Sequence, residues 1–262
     1  MHNPAQHPAS ADDKACNSRL RGALSSVSGT ADLQKNPAVF SPLLTHLFPP
    51  GVVGAELREA GDPALLLATE AQHLARAGTQ RMQEFVAGRL CARRALAEFG
   101  FADYPLSVNP DRRPRWPASL VGSITHVSGM CGAVVASQRD YRAIGLDMAI
   151  VGDVTRDIWP YVCTPEELSW LTALGESEQV RCAALIFSAK EAFYKCQYGV
   201  TQQWLEFDDV TVDVPLSATS AGYFLVRPRR KIALLEHEAL PWKGRFQFNA
   251  NLVITGMALD EH

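Results

Sequence analysis

Apolar residues are sparse and unpatterned over positions 1–36, a stretch rich in Ala, Ser, Asn and Asp that reads as a poorly ordered tail. Patterned sequence begins near Ala38-Val39-Phe40. Two helical repeats follow, at about Thr69–Ala77 and Arg81–Phe99, the second closed by Gly100 as a C-terminal cap. Pro105 to Pro117 is dense in proline and arginine and predicts a loop. Alternation then predicts short strands at Val121–His126 and Cys131–Ala136, joined through a Ser128-Gly129 turn, and a further apolar strand carries Asp147. Thr164-Pro165-Glu166-Glu167 predicts a helix start. Threonine caps it, proline takes the first turn, and Glu167 completes a capping box. A long helix is predicted over about Glu178–Tyr198, ending at Gly199, with later strands near Val210–Val214, Tyr223–Val226 and Phe246–Val253. Helices and short strands do not alternate as βαβ units, so the pattern predicts an α+β chain.

Composition narrows the class. With 262 residues and 47% hydrophobic content, the chain can bury a core as one large domain or two small lobes. A formal net charge of −3 argues against general nucleic-acid binding, which needs a basic excess. Six cysteines, at 16, 91, 131, 163, 182 and 196, form no C-x-x-C pair. That argues against a zinc site or a compact disulfide framework and fits a reducing cytosol. No run approaches the length of a membrane span, and no secretory signal is visible at the amino terminus. A cytoplasmic protein is expected.

The chemistry concentrates in a few places. In Phe187-Ser188-Ala189-Lys190-Glu191-Ala192-Phe193-Tyr194-Lys195, Glu191 and Lys195 share one helix face, one turn apart. Alone they could be a surface ion pair. Asp147, however, interrupts the apolar strand Ile144-Gly145-Leu146-Asp147, where an unpaired carboxylate is costly to desolvate. Two carboxylates from separate elements plus one lysine suit a magnesium ion holding a diphosphate. On the helix from Arg81, residues Met82, Phe85, Val86, Leu96 and Ala97 form an apolar face. Arg89 and Arg93 project onto it, while Arg94 points away. Those arginines either snorkel to water or line an anion pocket, for which the guanidinium fork is suited. The basic runs Asp111–Pro117 and Arg227–Lys231 read first as solvated loops, the second with docking of an acidic partner as its alternative; a rival reading makes Arg112–Trp116 and Arg227–Lys231 an RNA-binding module.

Four blocks, in order, resemble the Sfp-type 4'-phosphopantetheinyl transferases: the Gly145-Leu146-Asp147 strand, the Phe187–Lys195 helix, Gly122-Ser123-Ile124-Thr125-His126, and Gly88-Arg89-Leu90-Cys91-Ala92-Arg93-Arg94-Ala95-Leu96. The last is similar to the branch containing enterobactin synthase component D. The resemblance runs from about Leu47 to Val212. It implies two similar α+β lobes with the active site between them, residues 37–139 and 140–262, acting as a monomer. It further implies transfer of the 4'-phosphopantetheine arm of coenzyme A to a serine of an apo acyl- or peptidyl-carrier protein, releasing 3',5'-ADP. Carried over residue by residue, Arg89, Arg93, Arg113, Thr125 and His126 would hold coenzyme A. Asp147 and Glu191 would bind magnesium, Glu191 would take the serine proton directly or through a water, and Lys195 would assist the departing phosphate. One position departs from the commoner pattern: Ala149 stands two residues after the aspartate, where glutamate is frequent. A non-catalytic coenzyme A- or carrier-binding relative with a degenerate metal site is the alternative.

Overall fold

The computed structural model describes residues 36–72, 78–214, 220–233, 235 and 241–260. The tail expected over 1–36 lies outside these residues except for Asn36, and the end of the helix expected to reach Ala77 falls on 73–77, also outside them. Strand β1 (Val39–Phe40) leads into the one-turn helix α1 (Pro42–Thr45), capped by the Ser41 hydroxyl. Strand β2 (Val53–Leu57), the short helix α2 (Ala68–Ala71) and the long helix α3 (Thr79–Ala97) follow. Gly100 takes a φ of +82° just past α3, a conformation open to glycine without strain. Strands β3 (Leu120–Val127) and β4 (Met130–Ser137) form the expected hairpin and complete a four-stranded antiparallel sheet in the order β1-β2-β4-β3.

Strand β5 (Tyr141–Ile150) starts a second sheet. Helix α4 (Trp159–Val162) precedes α5 (Pro165–Thr172), whose capping box has the expected form: Thr164 Oγ1 accepts from the Glu167 N–H, and Glu167 reaches back to the Thr164 N–H at 2.7 Å. Helix α6 (Glu176–Thr201) then runs 26 residues. It passes through Gly199 rather than ending there, and Gln202 takes the left-handed cap at φ +53°. Strands β6 (Val210–Asp213), β7 (Ala221–Pro228), β8 (Trp242–Asn249) and β9 (Leu252–Asp260) give the antiparallel order β5-β9-β8-β7-β6. The single strand expected near Phe246–Val253 is therefore a hairpin, turned at Ala250 with φ +52°. Asn249 and Asn251 flank Ala250 and mark the reversal, a turn signal that the alternating pattern on either side overshadowed.

The architecture is α+β, as expected. Helix α3 packs on the first sheet and α6 on the second, each over its own apolar cluster. A third cluster, including Leu44, Phe48, Val134, Ile144, Leu146 and Ile254, fills the space between the sheets. The edge strands β3 and β5 meet there, and the Leu146 N–H donates to Ser123 Oγ at 3.0 Å. That edge-to-edge meeting positions the site.

Candidate active site

A glycine sets how closely α6 approaches β5. A Cβ on Gly145 would lie 1.9 Å from the Ala192 carbonyl oxygen and 2.9 Å from atoms of Cys196, so only glycine permits this contact. Two residues along the same strand face stands Asp147. Glu191 and Lys195 flank the contact on the helix, and all three side chains are thereby brought together. Lys195 Nζ donates to Asp147 Oδ1 at 2.6 Å and reaches Thr125 Oγ1 and the Leu146 carbonyl at 3.3 Å each. Thr125, buried on β3, donates in turn to Asp147 Oδ1 at 3.1 Å. The site thus draws on both sheets.

Its charges are unbalanced. Asp147 is buried, and its second carboxylate oxygen, Oδ2, has no hydrogen-bond partner among the described residues. Such an atom carries a full desolvation cost unless a ligand meets it. Burial raises the Glu191 carboxyl above the usual glutamate range; Lys195 pulls it back, and the neighbouring Asp147 charge pushes it up again. Two carboxylates that repel each other, one with an orphaned oxygen, fit a hard divalent cation that keeps water and substrate oxygens as its other ligands. Ala149 points from the same strand face into the apolar core of the second lobe and contributes no donor.

Two clefts flank the loop that follows Leu106. One, of about 780 Å³, is lined by Arg81, Glu84, Arg89, Arg112 and His126 among others. Arg89 is largely buried there: its Nε donates to the Leu106 carbonyl at 3.1 Å, and its guanidinium lies 3.9 Å from the Phe85 ring centre. Burial pushes its pKa down to about 10, with Glu70 opposing the shift. His126 is half-exposed on the opposite face of β3 from Thr125, with Nε2 3.2 Å from Glu84 Oε2. The second cleft, of about 600 Å³, runs between the lobes and includes Arg113, Tyr194, Lys195, Tyr198 and Trp204. Arg113 pairs with Asp111 at 2.7 Å, donates to the Tyr198 carbonyl at 3.4 Å and lies over the Tyr198 ring. A smaller hollow of about 260 Å³ places Glu191 beside Tyr194, Trp204 and Phe207.

Arg93 lies apart from the other expected anion-binding residues. It does not line the anion cleft. Its Nη2 meets Glu70 Oε2 at 2.7 Å and its Nη1 donates to the Leu65 carbonyl at 3.0 Å, away from solvent. The middle of α3, from Val86 to Leu96, is buried nearly all round, not along one stripe, because the segment around Leu65 and Leu106 wraps its far side. Sequence reasoning also separated Thr125 from His126 too little: neighbours on a strand face opposite ways, so one joins the carboxylates and the other the anion cleft. Arg81 was missed, although its spacing from Phe85, Gly88 and Arg89 is that of one helix face. Arg112 was missed as a cleft residue too; its φ of +70° is an uncommon strain for a non-glycine residue. The late basic run is neutralised within the fold: Arg227 pairs with Asp213, Arg230 with Asp209, and Arg229 approaches Glu166. That removes the basis for an RNA-binding surface there.

Comparison with known proteins agrees with this geometry. Residues 69–136 match the 4'-phosphopantetheinyl transferase N-terminal domain, and residues 143–249 match the 4'-phosphopantetheinyl transferase superfamily. The 4'-phosphopantetheinyl transferase Svp of Streptomyces mobaraensis is 34% identical over 200 residues, spanning 76% of this chain and 80% of that protein. PptT of Mycobacterium tuberculosis is 30% identical over 195 residues, 74% of this chain and 86% of its own. Enterobactin synthase component D of Escherichia coli K12 is 36% identical over 124 residues, 47% of this chain and 57% of its own. The matched segments contain the Asp147–Glu191–Lys195 cluster and, from the two clefts, Arg81, Arg89, Arg112 and Arg113. An enzyme that transfers phosphopantetheine from coenzyme A to carrier proteins accounts for them together, and this chain belongs to the 4'-phosphopantetheinyl transferase superfamily.

Proposed function

We propose that coenzyme A lies across the seam between the lobes, residues 37–139 and 140–262, with its diphosphate at Asp147, Glu191 and Lys195. The observation that carries this is the orphaned Oδ2 of Asp147 beside the raised carboxyl of Glu191. Asp147 and Glu191 would hold magnesium, which when bound neutralises diphosphate charge. The remaining phosphate of coenzyme A, on the 3' position of the ribose, then falls to the cleft of Arg81, Arg89, Arg112 and His126. Arg113 borders the nucleotide from the inter-lobe side. Tyr194 and Trp204 offer an apolar wall to the pantetheine arm beside Glu191.

In the transfer, the serine Oγ of an apo carrier attacks the phosphorus that bears the pantetheine arm. The bond from that phosphorus to the bridging oxygen of 3',5'-ADP breaks. Glu191, whose raised pKa suits it to accept a proton, takes the serine hydrogen. Lys195 Nζ stabilises charge gathering on the leaving phosphate, and Thr125 fixes Asp147 beneath it. Because every one of these groups comes from a single chain, a monomer suffices. Five free cysteines among the described residues suit work in the cytoplasm, where coenzyme A and apo carriers meet. Among those residues no helix is long and apolar enough to cross a membrane. A binding-only relative finds no support, since the paired carboxylates and lysine are all retained.

The test is incubation of the protein with coenzyme A and a panel of apo carriers, read by intact mass. The expected outcome is a phosphopantetheine adduct with magnesium and none in excess chelator after metal stripping. Full modification in chelator would overturn the metal assignment.

A further inference from the structure

Arg93 and Glu70 form a buried ion pair that no step above uses. Glu70 is fully buried and makes three contacts with one carboxylate. Its Oε2 accepts from Arg93 Nη2 at 2.7 Å and from the Leu67 N–H at 3.0 Å, and its Oε1 accepts from the Leu106 N–H at 3.0 Å. The carbonyl of the same residue, Leu106, accepts from Arg89 Nε. Residue 106 is therefore pinned at both ends, by Glu70 at its nitrogen and by Arg89 at its oxygen. Two residues later the chain makes the Val108–Pro114 bridge that closes the loop carrying Arg112 and Arg113.

A buried ion pair adds little net stability over apolar side chains of equal volume, so what it contributes here is geometry. Arg89 has its Nε fixed on Leu106 and its plane fixed on Phe85. Its two terminal nitrogens make no hydrogen bond to the described residues, which leaves the bidentate edge for an anion. We propose that Glu70, clamped by Arg93, is a positioning residue for coenzyme A: through Leu106 it aims Arg89 at the phosphate cleft. This rests on the reading above that Arg89 serves the 3'-phosphate.

The test compares coenzyme A with dephospho-coenzyme A, which lacks that phosphate, as donors to an apo carrier. Arg89→Ala should erase most of the preference for coenzyme A. If it does not, the cleft reading is wrong and this proposal goes with it. Given that loss, Glu70→Gln should raise KM for coenzyme A about tenfold, as for outer partners of a ligand-holding side chain, with kcat within about twofold. KM for dephospho-coenzyme A should move much less. Added to Arg89→Ala, Glu70→Gln should have almost no further effect on preference, because the two act on one contact. Equal damage to both donors, or effects that multiply in the double variant, would show that Glu70 only supports the fold. Should Glu70→Gln fail to fold, Glu70→Asp keeps the charge beside Arg93 and shortens the reach to Leu106, and carries the same expectations.

Discussion

Helix α6 carries two clusters of buried charge, and they differ in what they leave undone. Lys190 Nζ meets Glu167 Oε2 at 2.7 Å and donates to the carbonyls of Val162 and Phe207 at 2.9 and 2.7 Å. Glu167 in turn caps α5 and accepts from the Val212 N–H. Burial lowers the Lys190 pKa, and Glu167 offsets the shift. Every group there is answered by the protein. One residue on, Glu191 makes no comparable bond among the described residues, and Asp147 facing it keeps an oxygen that none of them answers. A closed cluster holds helices and strands in place. An open one waits for a ligand.

Neighbouring substitutions should split these roles. Lys190→Met leaves Glu167 charged, buried and unpaired, so thermal or urea melts should show a loss of about 3–5 kcal/mol. Glu191→Gln leaves nothing unpaired, so the melt should hold or improve while turnover on an apo carrier falls about 10²–10⁴-fold. Equal instability in both variants would erase the distinction.

A smaller effect should follow from Gly145→Ala. The new methyl has no room against Ala192, and forcing α6 outward should cost about 1–3 kcal/mol of stability. Because Glu191 and Lys195 travel with the helix, activity should drop even in the fraction that stays folded. A folded variant with normal turnover would mean the close approach does not set the site.

The smallest effect is a slope. In metal-free protein the Glu191 carboxyl titrates above its unfolded value. Its contribution to stability is complete below the unfolded value and is lost as pH rises through the folded one. Urea melts in chelator should therefore show stability declining across that window. Glu191→Gln should flatten the decline, and magnesium should oppose it in the native protein alone. A native curve that matches the variant's would remove the idea that this carboxyl is held high.

Local signals were legible in the letters. The Thr164–Glu167 box needs only four residues, and Asp147 stands out as a charge in an apolar strand. Glu191 and Lys195 were placed by helical spacing alone. What the letters could not separate was Arg89 from Arg93. Both sit on α3 one turn apart, and the difference lies in Glu70, 23 residues upstream of Arg93, whose approach depends on how the wrapping segment folds. Thr125 belonged with the carboxylates only once β3 met β5 edge to edge, a tertiary fact with no signature in either strand. The β8–β9 turn was legible in Asn249-Ala250-Asn251 and was passed over, because the strand letters resume directly at Leu252.

The contact of Thr125 with Asp147 and Lys195 has a consequence for how the enzyme fails. Thr125 lies on the edge strand of one sheet, Asp147 on the edge strand of the other, and Lys195 on the helix packed over the second. When the seam opens, Asp147, Glu191 and Lys195 stay together on β5 and α6, and what departs with β3 is the Thr125 hydroxyl that steadies Asp147.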